Sequence, residues 1–362
     1  MKINTLTFYR FLAASIVVLF HYGRDTFLVS LAPGFLTAGP EMVSFFFVLS
    51  GFVMVVAYWD RKFSPSRYYR ARLVRILPAY FLAFLAALFL EIASYSKRAV
   101  VINALFLQAW LPPYPLSING PSWSLSVEMF FYLMFPLLLW FLKSRTIRAT
   151  RFMLAAIGIW IFTQIILANL LNSSFYKPFP SIPHDLIFYF PLSHFSTFLL
   201  GVAGGYFYLD KRQPEVPKKW PIGLGVMIAG VLIFTSLNHE SAIRDLLHQS
   251  LPFGAGFFAP LFLILILLTS IASQGSFVSG LGNKGFVLLG DASYAIYIFQ
   301  RPFHQLFDAY VLPYLGLSGD PAFYFYFFCL TLFSIAVLLF VEKPIKRLFQ
   351  ANASRYGLTK KI

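Results

Sequence analysis

Apolar residues run in stretches of about 20, each long enough for a helix to cross a lipid bilayer, and polar residues gather in the short intervals between them. The stretches fall near 6–28, 41–59, 77–94, 122–142, 152–171, 186–208, 220–237, 252–271, 286–311 and 321–341. This pattern predicts an all-α polytopic membrane bundle of about ten transmembrane helices. Between 95 and 121 lies a further apolar piece, Val100 to Trp110, that is too short to cross and predicts a re-entrant or interfacial helix.

The polar intervals are not equivalent. If the N-terminus is cytoplasmic, Lys2, the clusters at 61–75, 143–151, 211–219 and 284, and the tail place 22 of the 29 basic residues on the inner side. The outer intervals then keep only Arg24, Lys97, Arg98, Lys177 and Arg244. That asymmetry predicts a multi-pass protein with both termini in the cytoplasm, and the membrane expected is the plasma (inner) membrane. The first stretch carries Arg10 early and shows no small-residue cleavage site, so it reads as a retained helix rather than a signal peptide. No internal repeat or composition shift marks a second unit. The division expected is a membrane domain over 1–347 and a short basic tail over 348–362.

Composition agrees and narrows the classes of function. Of 362 residues, 59% are hydrophobic and only 12% charged, about half the charged share of a soluble domain. The net charge of +15 sits in loops flanking apolar stretches, which points to the bilayer as partner and away from nucleic acid. One cysteine, Cys329, excludes a disulfide framework or a thiolate metal cluster within the chain.

Few ionisable residues fall inside the stretches, and each needs a partner or a task. Arg10 and His21 stand eleven positions apart on the first helix, about three turns, so they share a face roughly 16 Å apart. A snorkelling anchor is the structural alternative for Arg10, and a hydrogen-bonded interior ring the one for His21. The next buried charge is Glu128, expected one to two turns below the outer surface, level with His21. A carboxylate on one imidazole nitrogen fixes the tautomer and raises the basicity of the other, so His21 with Glu128 reads as a general base for a hydroxyl. Arg72 and Arg75, at i and i+3, present two guanidiniums suited to phosphate oxygens; the positive-inside signal alone would look the same. Ser50 and Gly51 put small residues mid-helix, for close packing or to admit a thin acyl chain. Trp123 and Tyr294 are candidate substrate contacts, although Tyr294 shares a face with Tyr297 and aromatics at that spacing most often pack. His184, His194, His239, His248 and His304 lack metal-ligand spacing, and no metal is expected.

Together these motifs carry a resemblance. Arg10 with His21, Phe-Phe-Val-Leu-Ser-Gly-Phe around Ser50, Arg72-x-x-Arg75 before Ile-Leu-Pro, and Trp123-Ser-Leu-Ser-Val-Glu128 resemble the acyltransferase-3 family. So do Gly290-Asp-Ala-Ser-Tyr294 and Val341-Glu-Lys-Pro344. The match is collinear over about 5–347. It implies an integral membrane enzyme moving an acyl group, commonly acetyl, from cytoplasmic acyl-CoA to a hydroxyl of a glycan or glycolipid outside. By the same resemblance Arg10 and His21 form the family's Arg-x10-His pair with His21 catalytic, and Arg72 and Arg75 its donor-associated site. One departure stands out: where many members carry Tyr-x-x-His-x-Pro, this chain reads Tyr297-Ile-Phe-Gln300-Arg301-Pro302. No esterase-like domain is expected after Ile345.

The residues therefore lead first to a CoA-dependent O-acyltransferase in which Glu128 orients His21, Arg10 assists, Arg72 and Arg75 hold the donor and Ser50 lines its path. A transporter of an anionic or sugar-containing solute, using Arg10, His21 and Glu128 as a relay, is the alternative. A carrier subunit that passes its acyl group to a separate enzyme is a third.

Overall fold

The computed structural model describes residues 3–145, 147–211, 219–272 and 277–355. The described residues are helical with no strand, and the long helices in chain order are α1 (Asn4–Tyr22), α2 (Gly39–Tyr58), α3 (Pro65–Leu90), α4 (Trp123–Ser144) and α5 (Ala149–Leu171). They continue with α6 (Pro191–Asp210), α7 (Lys219–Asn238), α8 (Ala259–Ala272), α9 (Lys284–Tyr310), α10 (Gly319–Val337) and α11 (Lys343–Arg355).

Eight helices or helix pairs among the described residues are long and apolar enough to cross a membrane. The two remaining expected segments differ from the prediction for local reasons. The 252–271 stretch opens with a 3-10 turn, Phe253–Ala255, and Gly256 at φ 92°, so α8 starts only at Ala259 and has 14 residues. The 286–311 stretch does form a helix of 27 residues, α9, but Asp291, Arg301 and Asp308 along it make it less apolar than the other eight. Of the tail expected at 348–362, residues up to Arg355 continue α11, and 356–362 lie outside the described residues.

Contacts fix the directions. Gly290 of α9 lies where a Cβ would come within 1.9 Å of the Thr7 carbonyl of α1. Further along, the rings of Tyr22 and His304 stack 4.0 Å apart, so α1 and α9 are parallel. The Phe20 ring at the end of α1 covers Gly39 at the start of α2, which makes those two antiparallel. α2 and α6 are parallel and cross closely: a Cβ on Gly51 would lie 2.3 Å from the Phe198 carbonyl, and one on Gly201 2.0 Å from that of Val48. The bundle thus has a His21 end, to which α1 and α9 climb, and an Arg75 end, where both N-terminus and α11 lie.

Three helices carry an internal proline, at Pro78, Pro136 and Pro302. A proline leaves the carbonyl four residues back without its helical donor. Two of those carbonyls gain tertiary donors. The Tyr68 hydroxyl donates to Tyr132 O at 3.0 Å, and Asn119 Nδ2 donates to Ile298 O at 2.9 Å.

The second bond also explains the 95–121 stretch. It holds a helix of eight residues, Lys97–Ala104, and folds back into the bundle as expected of a non-spanning piece. Buried Asn103, Gln108 and Asn119 anchor it: Asn103 O accepts from Tyr80 at 2.7 Å, and Gln108 Nε2 donates to Ser122 O at 2.9 Å. The start of α4 is therefore held inside the bundle rather than at its surface.

Candidate active site

His21 sits on the last turn of α1, exposed on one side. Its Nδ1 meets Oε1 of Gln300 at 2.9 Å. Gln300 is fully buried in α9, and its amide orientation is set by Nε2 donating to Tyr297 O at 2.7 Å. With the NH2 group so committed, the atom facing His21 is the carbonyl oxygen, an acceptor only. The neutral ring must then carry its proton on Nδ1 and keep the lone pair on Nε2. That is the tautomer a general base needs, fixed by an amide instead of a carboxylate. The backbone of Gln300 is held too, since Tyr326 donates its hydroxyl to Gln300 O at 2.9 Å.

Glu128 does not supply this contact; no hydrogen bond or ion pair joins it to His21, which corrects the expected dyad. Its Oε1 accepts from the Tyr132 hydroxyl, one turn on, at 2.6 Å, and from Ser50 Oγ at 3.4 Å. The depth count failed because it placed the start of α4 at the membrane surface. The preceding turn, Gly120–Ser122, is instead fastened deep in the bundle: Tyr297 donates to Pro121 O at 2.9 Å and bonds Ser124 Oγ at 2.8 Å. Glu128 therefore lies toward the Arg75 end.

There it belongs to a charge cluster around Arg10, whose Coulombic neighbours are Arg75, Glu128, Asp291 and Tyr132. Glu342, in the π-helical turn Leu338–Glu342 between α10 and α11, shares Arg75, Arg10 and Asp291. Opposite charges gathered this way offset the cost of holding each in an apolar bundle. Arg75 is exposed, at the mouth of this cluster. Arg72 is enclosed by Tyr58, Tyr68 and Tyr132, their ring centroids 5.5, 5.9 and 5.6 Å from its guanidinium carbon, and it donates to the Tyr58 hydroxyl at 3.2 Å. Its buried Nε has no partner.

Ser50 lies between the two ends, its hydroxyl shared between Glu128 and Met54 Sδ at 3.6 Å. The neighbouring Gly51 is used in the α2–α6 crossing. Tyr294 donates to Ile76 O at 2.9 Å and has Glu128 and Glu342 as charged neighbours, so it borders the Arg10 cluster. Trp123 is 7% exposed and packed against Phe47, Tyr189 and His194. Its place is in the packing of the bundle, and the substrate contact expected of it finds no open face there.

Comparison with known sequences decides what this arrangement belongs to. A family profile described as an acyltransferase domain matches residues 3–341. The chain belongs to the acyltransferase-3 family. Its relatives include the acyltransferase MdmB of Streptomyces mycarofaciens, 27% identical over 82% of this chain and 78% of the relative. The exopolysaccharide production protein ExoZ of Rhizobium meliloti is 28% identical over 89% of this chain and 94% of the relative. The O-acetyltransferase OatA of Staphylococcus aureus is 23% identical over 86% of this chain but only 53% of the relative. No solved structure matches.

Family membership makes the chain a multi-pass membrane acyltransferase and sets the transporter reading aside. It also gives Gln300 a context: by the resemblance, this residue stands where many members carry the histidine of Tyr-x-x-His-x-Pro. That departure was the available signal for Gln300, and its meaning emerges only with His21 beside it. Asp291 and Glu342 were likewise visible inside family motifs, without a stated partner. No group of three or more His, Cys, Asp or Glu among the described residues could hold a metal ion.

Proposed function

We propose that the protein is an O-acyltransferase of the plasma (inner) membrane, moving an acyl group, commonly acetyl, from cytoplasmic acyl-CoA to a hydroxyl of an extracytoplasmic glycan or glycolipid. The observation that carries this reading is the His21–Gln300 contact, which leaves Nε2 with a lone pair at the exposed end of α1. The names of the relatives ExoZ and OatA, an exopolysaccharide production protein and an O-acetyltransferase, support a glycan acceptor and an acetyl group.

In this mechanism Nε2 of His21 takes the proton of the acceptor hydroxyl as its oxygen attacks the thioester carbonyl. The carbon–sulfur bond then breaks, and the departing thiolate takes the proton back from the imidazolium. Arg72 and Arg75 hold the phosphates of the donor, Arg75 from its exposed position and Arg72 from its aromatic enclosure. The arm of the donor passes Arg10 and Ser50 over the roughly 16 Å that separate Arg10 from His21 along α1. Glu128 keeps Arg10 and Ser50 in place rather than orienting the base.

The test uses vesicles containing the full chain, supplied with radiolabelled acetyl-CoA and a surface glycan fraction. The wild type should release CoA and label the glycan. His21→Ala should lose on the order of 10²- to 10⁴-fold in rate while inserting normally. Full activity of that variant would sink the mechanism.

A further inference from the structure

Phe20, next to His21, also lines a cavity that the reaction as described leaves unused. The cavity has a volume of about 330 Å³, and Thr37, Glu41, Asn238, Glu240 and Ser241 border it with Phe20. It lies where the start of α2 meets the end of α7. The Phe20 ring stands edge-on to the His21 ring with centroids 5.0 Å apart, so the cavity lies one ring away from the proposed base.

Its polar lining is unevenly satisfied. Asn238 is committed, accepting from Phe35 N at 3.1 Å and donating to Phe234 O at 2.9 Å. Glu41 is 6% exposed, and beyond its own amide no described residue donates to its carboxyl. A buried carboxyl with only its own amide as donor keeps free acceptor capacity that an arriving hydroxyl would fill. Glu240 faces it across the cavity as a Coulombic neighbour, and burial raises the Glu240 carboxyl to about 7 against the opposing pull of Arg244. Two carboxyls are too few ligands for a cation site of the usual kind, whereas carboxylates are pure acceptors matched to hydroxyl donors. The volume is at the lower end for small-molecule sites, room for one sugar ring.

We propose that this cavity is the acceptor subsite, holding a neutral sugar ring through two of its hydroxyls on Glu41 and Glu240 so that another hydroxyl faces His21. The inference rests on the reading of His21 as the base for its role, but not for the binding itself. A sugar bearing its own carboxylate would be repelled by the same pair.

The full chain in lipid vesicles can be footprinted with a carbodiimide and a small amine, modification being read by peptide mass spectrometry. Methyl glucopyranoside at roughly 100 mM should slow modification of Glu41 and Glu240 about fivefold, and the corresponding methyl uronic acid should not. Equal rates with and without the neutral sugar overturn the subsite, as does equal protection by the uronic acid. In the transfer assay, Glu41→Gln and Glu240→Gln should raise the acceptor KM about tenfold and leave the donor KM alone. Asp245→Asn, exposed on the neighbouring short helix, should change neither. A folded Glu41→Gln protein with an unaltered acceptor KM also overturns the proposal. Footprinting needs no turnover, so a wild type that protects both carboxyls but transfers nothing defeats the acyltransfer mechanism and not the subsite.

Discussion

At the scale of single residues, the chemistry turns on one amide. The carbonyl oxygen of Gln300 receives Nδ1–H of His21 because its own NH2 group is held by Tyr297 O. A carboxamide fixes the tautomer as a carboxylate would, yet it contributes no negative charge to an imidazolium formed during transfer. The chain therefore orients its base with a neutral partner. Gln300→Ala should leave acceptor and donor KM near their wild-type values and lower kcat roughly tenfold, since the ring would divide between two tautomers and turn more freely. Steady-state kinetics in vesicles check this, and an unchanged kcat would show that Gln300 merely packs.

Among the elements, the α2–α6 crossing holds the site in shape. Gly51 and Gly201 let the two backbones approach so closely that added Cβ atoms would meet carbonyl oxygens of the opposite helix. Ser50 is thereby set toward Glu128, and Gly39 is brought under Phe20. Gly201→Ala should destabilise the fold by about 1–3 kcal/mol, because the Val48 carbonyl it meets cannot move without shifting its helix. Gly158, in α5, has nothing within 4 Å of an added Cβ. Its replacement by alanine should hold or slightly raise stability through helix propensity alone. Thermal unfolding of the two purified variants in detergent distinguishes the outcomes.

For the whole molecule, α1 to α10 alternate in direction between the His21 end and the Arg75 end, and α11 continues α10. The basic clusters at 61–75 and 143–151 fall at the Arg75 end, which the positive-inside bias assigns to the cytoplasm. In a Cys329→Ser background, Ser144→Cys should react with an impermeant maleimide only from the cytoplasmic face and Ser173→Cys only from the opposite face. Both positions are exposed, Ser144 at the end of α4 and Ser173 just beyond α5. Reaction of both from the same face would refute the alternation, and the reverse pattern would invert the direction proposed for acyl transfer.

What the sequence determined by itself was whatever depends on near neighbours along the chain. Apolar stretches of membrane length become helices because a backbone in lipid must satisfy its own hydrogen bonds. Arg10 and His21 share a helix because eleven positions lie within one such stretch, and the ordered motifs carried the family. Tertiary structure alone decided the partners. Gln300 meets His21 across 279 positions, Glu128 sinks toward Arg10 because the 95–121 stretch folds inward, and Glu41 faces Glu240 from another helix. No local periodicity encodes these pairings. They depend on which faces of α1, α4 and α9 remain to be buried once the glycines and prolines have set how closely, and at what depth, the helices pack.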